Sequence, residues 1–175
     1  MVDDEPAALS VPTNVVEAPD DADWCAASDK KNAATAAMAE GKLEEALALF
    51  SDALEAEAAT ASLSATTLAK RAECLMKLKR PKAAVSDCTA ALEINPDSCR
   101  AYKVRGKGRR DLSEWTGANL DLAAAQNIDF DPELAPLCEE VKEKAAAAFA
   151  ENREAEREKE LNKRRAAARA KRQAE

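Results

Sequence analysis

Polar, mostly cationic side chains recur at helical spacing in three separate stretches of the chain, and these residues are the best candidates for chemistry. They are Lys31, Asn32 and Thr35, then Lys70, Glu73 and Lys77, then Arg100, Lys103, Lys107 and Arg110. Because the chain carries a net charge of −7, cations gathered on one surface would attract an acidic partner surface and raise chiefly the association rate and specificity. The alternative is an ordinary solvated helix face, since Lys and Arg are common on exposed helices.

Catalytic chemistry is disfavoured by the same sequence. The 175 residues contain no histidine, the commonest general base and metal ligand. Gly106-Lys107-Gly108 falls inside a predicted helix and not in a phosphate-binding loop. The five cysteines are widely spaced and form no Cys-x-x-Cys pair, which argues against a disulfide framework or zinc site and favours buried thiols in a reducing cytoplasm. We therefore expect a function that resides in a surface, with no enzymatic activity, metal or cofactor.

The elements that must position these cations repeat with a period of 34 residues between residues 80 and 127. Ala84 then lies over Ala118, and the same register aligns Cys88 with Leu122, Ala91 with Ala125, Ala72 with Gly106, and Leu78 with Leu112. Small residues recur where two helices of one hairpin approach closely, and larger ones where the next hairpin needs filling. This period and pattern are typical of tetratricopeptide repeats.

The repeat pattern predicts an all-α fold: three tetratricopeptide helix-turn-helix repeats forming a right-handed solenoid over residues 24–130, in units of about 26–60, 63–96 and 97–130. In this frame the cations above lie on the first helix of each repeat and line a concave groove. The interval from Ala46 to Ala84 is 38 residues, so we expect one added helical turn between Glu55 and Thr66. Trp115 is interpreted as a packing anchor, with ligand stacking as the alternative.

The two flanks differ in character. Residues 1–23 are acidic and interrupted by prolines, which predicts a disordered linker. Residues 131–175 predict a capping helix that runs into a charged, partly solvated helix, strongly basic from Lys163 onward. No aromatic residues interleave with that basic run, so an acidic protein surface is expected there in preference to nucleic acid. With neither a secretion signal nor a long apolar run, we expect a cytoplasmic protein without membrane association.

The segments KLKRPKAAVSDCTAALEINPDS, AYKVRGKGRRDLSEW and LAAAQNIDFD resemble the tetratricopeptide domain of the Hip family of co-chaperones, and DKKNAATAAMAEGKLEEALALF is similar to that family's first repeat. The resemblance implies that the groove and the flanking charged helix bind the ATPase domain of the 70-kilodalton heat-shock chaperone. It also implies stabilisation of the ADP-bound state, because a partner with higher affinity for one nucleotide state prolongs that state. We expect this span to be monomeric.

Two alternatives stay open. A carboxylate clamp for acidic C-terminal chaperone peptides takes Lys and Asn from the first repeat, Asn from the second, and Lys and Arg from the third. Lys31 fits that pattern, whereas Thr35, Lys70, Arg100 and Val104 replace the other members and would organise a carboxylate poorly. Plant proteins that fuse a very similar domain to a thioredoxin also resemble this chain, which would make the span the targeting domain of a redox protein.

Overall fold

Seven α-helices and one 3₁₀ turn are present in the computed structural model of the chain, which describes residues 21–59 and 63–174. They are α1 (Asp21–Ala39), α2 (Leu43–Ala59), α3 (Ala65–Lys77), α4 (Pro81–Ile94), α5 (Cys99–Asp111), α6 (Trp115–Ile128), the 3₁₀ turn (Pro132–Leu134) and α7 (Ala135–Ala174). The predicted all-α fold is therefore confirmed.

The first six helices pack as three hairpins, α1/α2, α3/α4 and α5/α6, stacked in chain order with α7 against α6. α2 has 17 residues, three more than the 14 of α4 and α6, so it holds most of the expected extra turn. Residues 60–62, where the remainder of that insertion falls, lie outside the described residues.

Short-range signals fix where the helices begin and end. The Ser98 hydroxyl accepts a hydrogen bond from Ala101 N at 3.4 Å and caps α5, and Pro81 occupies the first turn of α4. The first helix of each repeat ends at a residue with positive φ: Gly41 at 81°, Lys79 at 61° and Ser113 at 62°. These three residues are equivalent in the repeat register, so the same left-handed turn joins the two helices of every hairpin.

The two ends of the chain extend the repeats differently. Residues 1–20, predicted to be part of a disordered acidic linker, lie outside the described residues. α1 begins at Asp21, so Asp21 and Asp23, assigned to that linker, fall in its first turn, where a negative charge favours a helix. At the other end, α7 is a single helix of 40 residues, in agreement with the predicted capping helix.

Alanine is the commonest residue of the core, and few large side chains are fully buried. Phe50, Leu54, Leu75, Leu122 and Val141 are the largest apolar side chains in this class. Helices lined with small residues come close together: a Cβ added at Gly106 would lie 2.8 Å from Leu122 Cγ. The small residue predicted at this position is thus required by the contact between α5 and α6.

A buried ion pair repeats with the helices. Arg71 on α3 donates two hydrogen bonds of 2.6 Å to the Asp87 carboxylate on α4, and Arg105 on α5 donates bonds of 2.9 and 2.7 Å to Asp121 on α6. Both arginines and both aspartates are 34 residues apart. Burial raises the pKa of Asp87, and its hydrogen bonds from Arg71 oppose that shift.

Each guanidinium also reaches the second helix of the preceding repeat. Arg71 Nη1 lies 3.4 Å from Ser51 Oγ, and Arg105 Nη1 lies 3.5 Å from Thr89 Oγ1. One arginine therefore connects three helices, and sequence analysis did not identify this connection.

The cysteines are all free and differ in exposure. Cys74 and Cys88 are buried, Cys99 and Cys138 are half-buried, and Cys25 is exposed. The expectation of buried thiols is thus wrong for Cys25. Burial raises the pKa of both Cys74 and Cys88, which keeps these two thiols protonated.

Candidate partner-binding surface

A cavity of about 560 Å³ opens where α1, α3 and α5 come together. On α5 its lining residues follow the i, i+3, i+4, i+7 spacing of one helix face. The lining consists of Met38, Glu73, Met76, Lys77, Cys99, Arg100, Lys103, Val104, Lys107 and Asp129. The lining thus combines an apolar part, from two methionines and a valine, with four cations.

Two of the four cations are already paired within the protein. Arg100 Nη1 lies 3.5 Å from Glu73 Oε1, and Lys103 Nζ lies 3.1 Å from Asp131 Oδ2. Lys77 and Lys107 are exposed and form no ion pair with any residue of 21–59 or 63–174. The cavity therefore offers two unpaired positive charges beside an apolar lining.

The Lys103 pair continues into the corner between α6 and α7. Partial burial lowers the pKa of Lys103, but the hydrogen bond to Asp131 and the nearby negative charges outweigh it, so the pKa is raised overall. The hydrogen bonds from Lys103 and from Glu133 N hold the pKa of Asp131 below its usual value. Both members of the pair are thus charged at neutral pH.

The predicted groove residues fall into two groups. The cavity brings together Glu73, Lys77, Arg100, Lys103 and Lys107. The other predicted residues lie outside its lining, and most of them have contacts of their own.

Lys31, Thr35 and Lys70 form a separate chain of contacts along α1 and α3. Lys31 Nζ bonds Glu57 Oε1 at 2.9 Å, Thr35 Oγ1 donates to the Lys31 carbonyl at 2.8 Å, and Lys70 Nζ donates to Thr35 Oγ1 at 3.3 Å. Glu57 is buried and also accepts bonds from Ser64 N and Thr67 Oγ1. Lys31 is therefore used to hold α1 on the rest of the fold.

Asn32 and Arg110 lie apart from the cavity. Asn32 is exposed on α1. The Arg110 guanidinium bonds Asp111 at 2.6 Å, and its charge contributes, after Lys144, to the lowered pKa of Glu140 on α7. Arg110 thus faces the start of α7.

Sequence reasoning missed half of the lining: Met38, Met76, Cys99, Val104 and Asp129. Val104 lies four residues after Arg100, so helical spacing alone could have identified it. Met38 and Asp129 belong to separate repeats and fall at unrelated positions of the 34-residue register, so no local signal places them together.

A second charged surface lies on the distal part of α7. Arg153, Arg157 and Arg164 lie along one side of the helix, beside Glu156, Glu160 and Leu161. The described side chains from residue 150 onward are exposed, and Arg153 stacks on Phe149 with 5.9 Å between the guanidinium carbon and the ring centroid. This part of α7 therefore presents its charges to solvent.

The base of α7 is held on α6. Val141 is buried in a cluster with Ala118 and Leu122, and Lys144 Nζ lies 4.5 Å from the centroid of the half-buried Trp115 ring. Trp115 thus contacts α7, as the packing interpretation predicts.

The fold matches solved tetratricopeptide domains. The first such domain of Spaghetti (RPAP3), bound to HSP90 peptide SRMEEVD, superimposes with a TM-score of 0.65 at 22% identity, covering 70% of this chain and 94% of that one. The second domain of human RPAP3, in complex with HSP70 peptide SGPTIEEVD, gives 0.62 at 22% identity, covering 69% and 98%. The chain contains a tetratricopeptide-repeat domain. At these identities the likeness concerns the fold alone.

Curated sequences place this tetratricopeptide domain nearer to two kinds of protein. Hsc70-interacting protein 1 of Drosophila melanogaster is 38% identical over 115 residues, which is 66% of this chain and 29% of that protein. The tetratricopeptide-containing thioredoxin TDX of Arabidopsis thaliana is 34% identical over 119 residues, covering 68% and 30%. The tetratricopeptide domain is therefore related to those of Hip and TDX, and it spans about 30% of each relative's length. No family model matches the chain.

Two kinds of site were not found among the described residues. No described helix has both the length and the apolar character needed to span a membrane. No group of three or more Cys, Asp or Glu side chains in the described part of the chain is placed to hold a metal ion.

Proposed function

We propose that this tetratricopeptide domain is a non-enzymatic co-chaperone adaptor that binds the ATPase domain of the 70-kilodalton heat-shock chaperone and stabilises its ADP-bound state. Support comes from the relation to Hsc70-interacting proteins, at 38% identity over 66% of the chain. The carrying observation is the pair of unpaired lysines, Lys77 and Lys107, beside the apolar part of the cavity. An acidic protein surface with a protruding apolar side chain complements this lining.

The proposed mechanism is linkage between two binding events. An adaptor that binds the ADP-bound chaperone more tightly than the ATP-bound one lowers the free energy of the ADP-bound state by the difference. The exposed arginines of α7 would extend the contact beyond the cavity, so the two surfaces would bind the same partner.

A calorimetric titration of the full chain against the ATPase domain, with ADP and then with ATP, tests this function. We expect binding that favours ADP and an at least tenfold loss of affinity in Lys77→Gln/Lys107→Gln. The matched control is Lys79→Gln/Lys82→Gln, which removes the same charge from exposed residues outside the cavity and should change affinity less than twofold. Equal affinity in both nucleotides, or equal loss in both variants, would overturn the proposal.

The carboxylate clamp is the second candidate, and the geometry weakens it. Lys31 is bonded to buried Glu57, Thr35 and Lys70 are bonded to each other, and Val104 is 7% exposed. Residues at clamp positions are therefore committed to internal contacts or apolar. An acidic C-terminal chaperone peptide belongs in the same titration, and binding of the peptide without the ATPase domain would replace the proposed function with the clamp.

The third candidate, the targeting domain of a thioredoxin-fused protein, rests on the relation to TDX. The 175 residues contain no Cys-x-x-Cys pair, so redox chemistry is not assigned to them. The proposed binding surface would then serve the same partner in a different protein context.

A further inference from the structure

A network of three side chains fixes the corner where α6 ends and α7 begins. Lys103 Nζ on α5 donates to Asp131 Oδ2, and Asp131 Oδ1 accepts from Glu133 N at 3.0 Å, which starts the 3₁₀ turn. Gln126 on α6 brackets the Asp131 backbone, with its Oε1 accepting from Asp131 N at 2.7 Å and its Nε2 donating to Asp131 O at 2.8 Å. We call Lys103, Gln126 and Asp131 the corner network.

Lys103 is the member of this network that comes from the cavity wall. Its side chain is 22% exposed, and its Nζ also lies 3.7 Å from Asp129 Oδ2, another residue of the cavity lining. The cation is therefore held between two carboxylates of the α6–α7 corner and is less available to a partner than Lys77 or Lys107.

α7 acts as a lever with a short base. Within the described residues it packs chiefly on α6 and the 3₁₀ turn, and its side chains from residue 150 onward are exposed. Arg157 lies 22 residues beyond Ala135, which is about 33 Å along a helix. A change of about 10° in the direction of α7 would thus move Arg157 by about 6 Å, farther than a salt bridge reaches.

We propose that Lys103 is a positioning residue that sets the direction of α7 through Asp131, so that the cavity and the basic side of α7 meet one partner in a fixed geometry. This inference rests on the proposed function for its partner, and it reassigns Lys103 from contacting the partner to orienting α7. Lys77 and Lys107 remain the cations that contact the partner in the cavity.

The direction of α7 can be measured without any partner. Residual dipolar couplings report the angle between α7 and α5, and hydrogen exchange reports the stability of the 129–134 corner. We expect Lys103→Met to raise exchange in that corner at least tenfold and to reduce the α7 couplings, with exchange in α3 unchanged. Lys107→Met is the control, since it removes a neighbouring cation of the same helix that lies outside the network, and it should change neither reading. Unchanged couplings and exchange in Lys103→Met would overturn the proposal.

A rescue variant separates orientation from direct contact. Lys103→Glu with Asp129→Asn and Asp131→Asn keeps the local net charge. The new amide at position 131 can donate to the new carboxylate at position 103 while its carbonyl oxygen still caps the 3₁₀ turn. We expect this triple variant to recover the couplings and at least half of the affinity for the ADP-bound ATPase domain that Lys103→Met loses. If it recovers the couplings while affinity stays as low as in Lys103→Met, Lys103 contacts the partner itself and the positioning role is wrong.

A double-mutant cycle adds a reading that simple destabilisation would not change. If Lys103 acts through α7, Lys103→Met and Arg153→Gln/Arg157→Gln should be strongly non-additive, because a misdirected α7 has already lost its contacts. Additive losses would overturn the role. If the ATPase domain does not bind at all, the proposed function fails, whereas the couplings and exchange still decide whether Lys103 orients α7.

Discussion

The contact between Gly106 and Leu122 allows a sharp test of how the repeats are packed. A Cβ at position 106 would lie 2.8 Å from Leu122 Cγ and 3.0 Å from its Cδ2, and Leu122 is 1% exposed. The equivalent positions of the preceding repeat hold Ala72 and Cys88, both fully buried. One repeat therefore combines the smallest residue with a large one, and the other combines two residues of intermediate size.

The magnitudes follow from this exchange of volume. Gly106→Ala gains about 1 kcal/mol of helix propensity but suffers overpacking of about 1–3 kcal/mol, for a net destabilisation of roughly 0–2 kcal/mol. Leu122→Cys removes buried apolar atoms and leaves a cavity, which costs about 2–3 kcal/mol. The double variant recreates the pair of the preceding repeat, so the added methyl fills part of that cavity. We expect a favourable coupling energy of about 1–3 kcal/mol.

Urea unfolding of the four full-length chains under reducing conditions measures this coupling. The double variant should be more stable than Leu122→Cys alone. Gly108→Ala combined with Leu122→Cys is the control, because a Cβ at Gly108 would lie 2.8 Å from Val85 on α4 instead. That pair should be additive within about 0.5 kcal/mol. Additivity in the Gly106 cycle would show that the two residues do not share one packing space.

Three further perturbations probe other contacts. Gly41→Ala should lower the free energy of unfolding by about 1 kcal/mol through backbone strain alone, because φ is 81° and an added Cβ meets no atom within 4 Å; unchanged thermal stability would contradict this. Arg71→Met should cost about 3–5 kcal/mol in urea unfolding by leaving Asp87 buried and unpaired; a loss below 1 kcal/mol would refute that role. Cys25 should react with an aromatic disulfide reagent in the folded protein, whereas Cys88, whose pKa is raised by burial, should react only at the rate of unfolding.

The repeats could be predicted from sequence because their signals are local. The 34-residue period, the cap at Ser98 and the start at Pro81 each depend on residues a few positions apart, and all three are found in the structure. Such signals depend on backbone hydrogen bonding and side-chain size, which repeat whenever the same hairpin is formed.

The candidate site could be predicted only in part, because register specifies a face and not the partners across it. Lys31 and Arg110 lie at plausible groove positions by spacing, but Glu57 and Asp111 respectively engage them. Lys103 was placed correctly at the cavity, yet its pairing with Asp131 depends on a corner that no repeat signal describes. Which cations remain unpaired is thus a property of the assembled helices.

The repeated Arg–Asp pairs explain how so little bulk defines one arrangement of helices. Alanine faces pack closely but have little shape, so they resist neither sliding nor rotation as well as interlocking large side chains do. A buried guanidinium has directional donors, and each one here bonds its own repeat's second helix and the preceding repeat's second helix. A buried pair adds little net stability over apolar residues, but misplacing one partner is costly, so the pair penalises a wrong register.

The first repeat has no such pair to use, since Ala33 and Leu49 occupy the positions equivalent to Arg71 and Asp87. There Lys31 and Glu57 connect α1 to α2, and the Glu57 carboxylate also accepts bonds from Ser64 N at 3.0 Å and Thr67 Oγ1 at 3.2 Å. A buried charge thus joins the first repeat to the second, as the arginines join later ones. Recruitment of Lys31 to this task removes a cation from the groove, which leaves the positive charge of the cavity concentrated at α3 and α5.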